Sequence, residues 1–237
     1  MAAEQRSTTY LQPSFTIPRP DRDVTFILPS QEATSKVPDG VTRIVIPPGS
    51  QWTPSPHWHE LYDENFRVVA GHVRLTVDGR TSIVGPKDGV QRIAKYDVHD
   101  FMRADATSSE YSGKDQAQEE WMSKDVIVEE WTSPVDGMKE IFFRNLFSVI
   151  HDSSRVYGWK TELQLMMVQS HCDNYPVIVS DSRIWQPLTH VLFFFAVLLG
   201  GWLGLKPWYD EYTPPRLRGV ATSRHGAVGK DELKKSK

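Results

Sequence analysis

The chain has 237 residues and a formal net charge of −3, with 39% hydrophobic and 24% charged residues. This size allows one domain with extensions or two small domains, and the slightly acidic charge provides no basic surface for nucleic acid, so we expect no nucleic-acid partner. Cys172 is the only cysteine. A disulfide within the chain is therefore excluded, which fits a reducing compartment.

The N-terminal half has the pattern of a β-domain that follows an arm. Residues 1–36 are interrupted by prolines and contain only one short stretch with strand character, at residues 24–28. Residues 37–135 alternate apolar and polar side chains, and Asp78-Gly79 is a favoured two-residue hairpin turn. Short strands with turn signals every 8–12 residues are typical of a sandwich or barrel.

A candidate metal site lies near the start of this domain. His57 and His59 are separated by one residue, so their side chains point to the same side of a strand. Glu64 follows, beyond a short polar interruption, and the apolar alternation then runs to Gly71. Two neutral imidazoles and a carboxylate that converge inside a β-structure are what a divalent metal ion needs.

The spacing of apolar residues changes after residue 135. Residues 136–183 carry apolar side chains at helical spacing, which predicts a helical extension. It either caps the β-domain, lies on the membrane surface or forms the mouth of an apolar pocket. Residues 184–208 contain an apolar run, residues 188–205, broken only by Thr189 and His190. As a helix this run reaches about 27 Å, close to the ~30 Å hydrocarbon layer, so we predict a transmembrane segment; the alternative is a buried helix.

Residues 209–237 are predicted to form a basic polar tail, and the chain ends in Lys-Lys-Ser-Lys. The basic tail favours the cytosolic side, and its last four residues resemble a dilysine retrieval signal of the endoplasmic reticulum. We therefore expect localisation to that membrane. Residues 1–23 have no apolar signal core, which favours a cytosolic β-domain. A single span with a cytosolic tail would place the β-domain in the lumen, and a tail anchor would send the basic tail across the membrane. An in-plane or re-entrant apolar segment would leave both the domain and the tail in the cytosol.

The histidine stretch resembles the first motif of the cupin superfamily: His-x-His, four residues, a glutamate, six residues and a glycine. His57, His59, Glu64 and Gly71 match it, and His99 stands at the histidine of the second motif, in which alanine and tyrosine replace the usual proline and glycine. The resemblance covers residues 38–131 and implies a small antiparallel jelly-roll barrel. It further implies that His57, His59, Glu64 and His99 hold a divalent ion (Fe, Mn, Ni, Cu or Zn) and allows a homodimer through the barrel.

A cupin domain followed by helices and an apolar segment also resembles fungal proteins of secondary-metabolite pathways. We therefore expect a mainly β, membrane-associated and metal-dependent enzyme that acts on a small hydrophobic substrate. Oxidation of a dioxygenase-like kind and isomerisation, cyclisation or lyase chemistry are all open to such a site. Glu64 and Tyr62 are the candidate catalytic residues. The alternative is a non-catalytic ligand-binding or scaffold cupin that organises membrane-bound enzymes.

Overall fold

Two antiparallel β-sheets face each other, and helices cover one side of them. The computed structural model describes residues 5–17, 23–29, 37–106, 121–180 and 183–223. The strands are β1 (Ser14–Ile17), β2 (Val24–Ile27), β3 (Thr42–Ile46), β4 (His57–Trp58), β5 (Asp63–Ala70), β6 (Val73–Val77), β7 (Arg80–Val84), β8 (Val90–Ile93), β9 (His99–Arg103), β10 (Val126–Ser133) and β11 (Tyr175–Pro176). The helices are α1 (Met138–His151), α2 (Thr161–His171), α3 (Gln186–Trp202) and α4 (Arg218–Ser223).

The strand order is β1-β2-β3-β10-β5-β8 in one sheet and β11-β4-β9-β6-β7 in the other. Alternation decides which side chains point between the sheets: β5 buries Glu64, Phe66 and Val68 and turns its other side chains outward. Between β6 and β7 the chain reverses at Asp78-Gly79, where both residues have positive φ as a tight hairpin turn requires. The prediction of a mainly antiparallel β-fold followed by helices is confirmed.

The predicted N-terminal arm contributes to the sheet. Strands β1 and β2 pair with each other, and β2 pairs with β3, so these two strands extend the first sheet at its edge. Phe15 and Phe26 pack against Phe147 of α1, with ring centroids 5.5 and 4.5 Å away and the rings tilted. The described part of residues 1–36 therefore differs from a separate arm, because Phe15 and Phe26 belong to the core of the domain.

Helix α3 carries the predicted apolar run and lies along the domain. Residues Arg183–Trp202 form the one described helix that is long and apolar enough to cross a membrane, by length and composition. Its inner face buries Thr189, Phe193, Ala196 and Gly200, which recur at helical spacing. Its outer face exposes eight large apolar side chains, each 44–82% exposed: Leu188, Val191, Leu192, Phe194, Phe195, Leu198, Leu199 and Trp202.

The segment after α3 packs back into the same core. Tyr209, Tyr212 and Leu217 are buried, and the Gln164 amide of α2 donates a hydrogen bond of 2.7 Å to the carbonyl of Lys206. The described part of the predicted polar tail, up to residue 223, is thus an integral part of the domain, because its aromatic side chains fill the core behind α1. The basic end of the tail, residues 224–237, lies outside the described residues.

Candidate metal centre

The four predicted ligands meet at one point between the sheets. His57 lies on β4 opposite His99 on β9, His59 follows β4, and Glu64 points inward from β5. One ligand atom from each residue lies within 4.8 Å of the others, and all four side chains are buried. The fold therefore brings His99, which is 35 residues beyond Glu64 in the sequence, into the cluster that the first motif predicts.

Backbone carbonyls orient the three imidazoles. The Nδ1 atom of His57 lies 2.9 Å from the carbonyl oxygen of Ser55, that of His59 lies 2.5 Å from that of Asp173, and that of His99 lies 2.9 Å from that of Asp97. A carbonyl oxygen can only accept, so each Nδ1 carries the hydrogen. In a neutral ring the Nε2 lone pair is then free to face the centre of the cluster, as in metal-bound histidines.

The contacts inside the cluster fit a bound cation. His59 Nε2 lies 3.0 Å from a carboxylate oxygen of Glu64; with the hydrogen of a neutral ring on Nδ1, both atoms are acceptors and need a positive charge between them. His99 Nε2 is buried and has no hydrogen-bond partner among the described residues. Neighbouring ligand atoms about 2.0–2.2 Å from one ion lie about 3 Å apart. The cluster therefore fits a divalent metal ion, and its N₃O donor set suits several transition metals.

The electrostatics of the cluster keep Glu64 ionised. Burial alone raises the pKa of Glu64, but the charge of the Lys139 ammonium and the neighbouring polar imidazoles outweigh burial and hold the pKa well below its usual range. Burial and the neighbouring His99 and His59 lower the pKa of His57. An ionised carboxylate and a neutral imidazole are the forms in which these residues bind metal.

Lys139 and Glu130 join the cluster from outside the motif. Lys139, on the first turn of α1, forms ion pairs with Glu64 and, at 3.1 Å, with Glu130 of β10. Both partners are buried, and the two carboxylates raise the pKa of Lys139 against the opposing effect of burial. The sequence contains a signal for Glu130, since it shares the inward face of β10 with Val126 and Val128. We did not predict either residue as part of the site.

Asp173 supports the cluster from the connection between α2 and β11. Its carboxylate accepts hydrogen bonds from the backbone N–H groups of Glu60, at 3.0 Å, and Leu61, at 2.7 Å. Its backbone carbonyl accepts the bond from His59, and its φ of 57° is in the left-handed region that aspartate tolerates. No sequence motif indicates this role, because Asp173 lies more than 100 residues from the loop that it holds.

An apolar cavity of about 200 Å³ reaches the cluster at His57. Lys139 and Glu130 line the cavity near His57, and Trp52 lines it as well. The rest of the wall is mainly aromatic and aliphatic, with side chains from β1, β2, β3 and α1: Ile17, Phe26, Ile44, Phe142, Phe143, Leu146, Phe147 and Ile150. An apolar cavity with a few polar groups at one end is the usual form of a small-molecule site.

Tyr62, predicted to be catalytic, and Glu60, which lies beside the histidine motif, both make structural contacts. The Tyr62 hydroxyl donates to Asp136 at 2.7 Å, and burial together with this carboxylate raises the pKa of Tyr62. Tyr62 is buried in the core and does not line the cavity, so a catalytic role for it stays a prediction. Glu60, the carboxylate nearest to the histidine motif, lies 3.1 Å from the Trp58 indole and 2.7 Å from His190.

Comparisons with known proteins give relatives of low identity. No protein-family model matches the chain. The probable oxidoreductase patJ of Penicillium expansum is 24% identical over 208 residues, which are 80% of this chain and 56% of that protein. Oxidoreductase OpS7 of Beauveria bassiana is 28% identical over 178 residues, 70% of this chain and 58% of that protein. The chain thus spans slightly more than half the length of the curated relatives that it matches.

Among solved structures, a predicted oxalate decarboxylase of Thermotoga maritima matches 54% of this chain and 97% of that protein, with 16% identity and a TM-score of 0.34. A cupin-2 domain of Rhodospirillum rubrum matches 50% of this chain and 67% of that protein, with 13% identity and a TM-score of 0.33. In its antiparallel sheets and its converging His57, His59, Glu64 and His99, the chain resembles the cupin superfamily, and in its sequence it resembles fungal oxidoreductases.

Proposed function

We propose that the chain is a metal-dependent oxidoreductase that acts on a small hydrophobic molecule. The observation that carries this proposal is the orientation of the three histidines, whose Nδ1 atoms are held by backbone carbonyls while their Nε2 atoms face Glu64 beside an apolar cavity. The relatives are named oxidoreductases, and a further one, at 22% identity, is named an epoxidase. These names favour oxidation over isomerisation or cyclisation.

Each part of the site has a role in such a reaction. A redox-active divalent metal ion, when bound by His57, His59, Glu64 and His99, supplies Lewis-acid and dioxygen chemistry. The cavity walls bind the apolar body of the substrate and exclude water from the reacting end. Lys139 holds Glu64 by an ion pair. This contact favours Glu64 as a fixed ligand over a carboxylate that swings free to act as a base.

The first test is metal content and product formation by the full-length protein. We expect about one equivalent of a transition metal in the purified protein, and loss of both the metal and the reaction product of the host pathway in His57→Ala and His99→Ala variants. A protein that binds no transition metal after reconstitution would overturn the proposal. Metal binding with unchanged pathway products in the variants would instead favour the non-catalytic scaffold. The expected homodimer stays a prediction, which sedimentation of the same protein can test.

We also propose that α3 associates with a lipid bilayer in the plane of the membrane. Both ends of α3 are tied to one domain: Arg183 pairs with Asp78 and Asp97 at 2.5 Å before the helix, and Leu205 and Tyr209 are buried after it. A membrane-spanning helix would place these two flanks on opposite sides of the bilayer. An in-plane helix keeps the inner-face contacts and buries the exposed apolar face in lipid.

Protease protection distinguishes the two arrangements. On intact membranes, the in-plane helix leaves tags on both termini open to protease, whereas a spanning helix protects one of them. Phe195→Glu and Leu198→Glu together should reduce sedimentation with phosphatidylcholine vesicles at least about tenfold, because charged side chains are costly in lipid. The variant should retain metal, since neither residue contacts the cluster. Unchanged sedimentation would contradict a role of α3 in membrane binding.

A further inference from the structure

The buried charges around the metal centre do not balance once a divalent ion is present. The cluster contains two carboxylates, Glu64 and Glu130, and one ammonium, Lys139, all of them buried. The three histidines are neutral as metal ligands. A divalent cation and the Lys139 ammonium carry three positive charges, and the two carboxylates carry two negative charges. The sum is an excess of one positive charge.

An uncompensated charge in an apolar setting is costly, and an anion beside it removes that cost. The cavity ends at this excess charge, because His57, Lys139 and Glu130 all line it. Its other walls are mainly apolar, and the Phe143 ring lies 5.4 Å from the Lys139 ammonium. A ligand that matches both the apolar walls and the excess positive charge has an apolar body and one negatively charged oxygen.

We propose that the site selects hydrophobic molecules that carry a single anionic oxygen, such as a carboxylate or an enolate, and that the Lys139–Glu130 pair sets this selectivity. The proposal rests on the proposed function, because the charge excess includes the metal ion. Lys139 and Glu130 act as specificity-determining residues: Lys139 adds a positive charge and Glu130 offsets part of it. Their contributions to anion binding therefore have opposite signs.

Two variants test this opposition on the full-length protein loaded with Zn²⁺. Lys139→Met removes the positive charge at similar length, and Glu130→Gln removes a negative charge at equal shape. Calorimetry would measure the binding of 2-naphthoate and of its neutral isostere 2-naphthamide. We expect the wild-type protein to prefer the anion, Lys139→Met to weaken naphthoate binding by about tenfold or more, and Glu130→Gln to strengthen it by about threefold or more. Binding of the amide should change by less than about twofold, because it carries no net charge.

The double variant Lys139→Met/Glu130→Gln separates net charge from a specific contact. It restores the wild-type excess of one positive charge, so naphthoate affinity should return to within about threefold of the wild-type value. Equal changes for naphthoate and naphthamide, or a wild-type protein that prefers the amide, would overturn the inference. A protein that fails to bind Zn²⁺ at all would overturn the proposed function instead, so the two failures are distinguishable.

Discussion

The metal centre and the helical layer behind it are encoded in different ways. The helical layer consists of α1, α2 and the segment that follows α3. Three of the four ligands lie between His57 and Glu64, within one strand, one loop and the start of the next strand. The helical layer depends on polar contacts between distant residues: Ser7 with Asp152, and Asn145 with Thr213 at 3.0 Å. The two regions meet at Lys139 and Asp173. Most of the ligand set is thus local in the sequence, while its support comes from residues much later in the chain.

The largest effect should follow removal of a ligand. His99→Ala leaves three ligands, and because a structural site spreads roughly 10–16 kcal/mol over its ligands, the affinity for Zn²⁺ should fall at least about a hundredfold. Titration against a chelator of known affinity measures this loss. His151→Ala, an exposed histidine at the end of α1, is the matched control and should bind Zn²⁺ like the wild-type protein. Equal affinity in His99→Ala would contradict the assignment of the fourth ligand.

The next effect should be confined to the helical layer. Asp152 accepts hydrogen bonds from Ser7 N–H at 2.8 Å and from the Tyr212 hydroxyl at 2.6 Å, and pairs with Arg155 at 2.6 Å. Asp152→Asn should lower the free energy of unfolding by about 2–3 kcal/mol, because buried bonds to a charged acceptor are lost. Denaturation in urea measures the change. Zn²⁺ affinity below the transition should stay within about twofold, and a parallel loss of metal would contradict the separation of the two regions.

The same carboxylate predicts a pH dependence. Burial raises the pKa of Asp152, but the bonds from Tyr212 and Ser7 outweigh it and lower the pKa below the ordinary 3.8. A lowered pKa means that the stabilisation is complete above this ordinary value and is lost as the pH falls through the lower folded value. The stability difference between the wild-type protein and Asp152→Asn should therefore shrink between pH 5 and pH 3. A constant difference over that range would show that ionisation of Asp152 is not the cause.

A smaller effect should couple the two regions. Asp173→Asn retains a residue that tolerates positive φ but weakens the acceptor for the backbone N–H groups of Glu60 and Leu61. We expect a loss of about 1–2 kcal/mol in the free energy of unfolding. Zn²⁺ affinity should fall about tenfold, because His59 is positioned by this loop. A loss of stability with unchanged Zn²⁺ affinity would show that Asp173 stabilises the helical layer but does not support the metal site.

The smallest effect should come from two adjacent glycines of α3. A Cβ at Gly200 would lie 2.4 Å from the Met167 sulfur of α2, whereas at Gly201 it would meet no atom within 4 Å. Gly201→Ala should be neutral or stabilise by up to about 1 kcal/mol through helix propensity. Gly200→Ala should be about 1 kcal/mol less stable than Gly201→Ala, because Met167 must move. Thermal unfolding compares the pair, and equal stabilities would contradict the packing of α3 on α2.

The sequence was sufficient for the local part of the site and insufficient for the rest. His57, His59 and Glu64 follow from strand alternation and motif spacing, and His99 followed only from the cupin resemblance, because strand pairing brings it to His57. Lys139 and Asp173 reach the cluster through tertiary packing that no local pattern encodes. The sequence left a transmembrane and a buried α3 both open for a similar reason: a run of apolar residues does not distinguish a helix that lies on its own domain from one surrounded by lipid.

The contact between Thr9 and Glu211, an N–H···O bond of 2.9 Å across some 200 residues, has a consequence for biosynthesis. A ribosome adds about 5–20 residues per second, so the first strands wait ten seconds or more for their last partners. The β-sheets and metal ligands emerge earlier than Tyr209, Tyr212 and Leu217, which are buried in the same core. The core therefore cannot close completely until these three residues have left the exit tunnel.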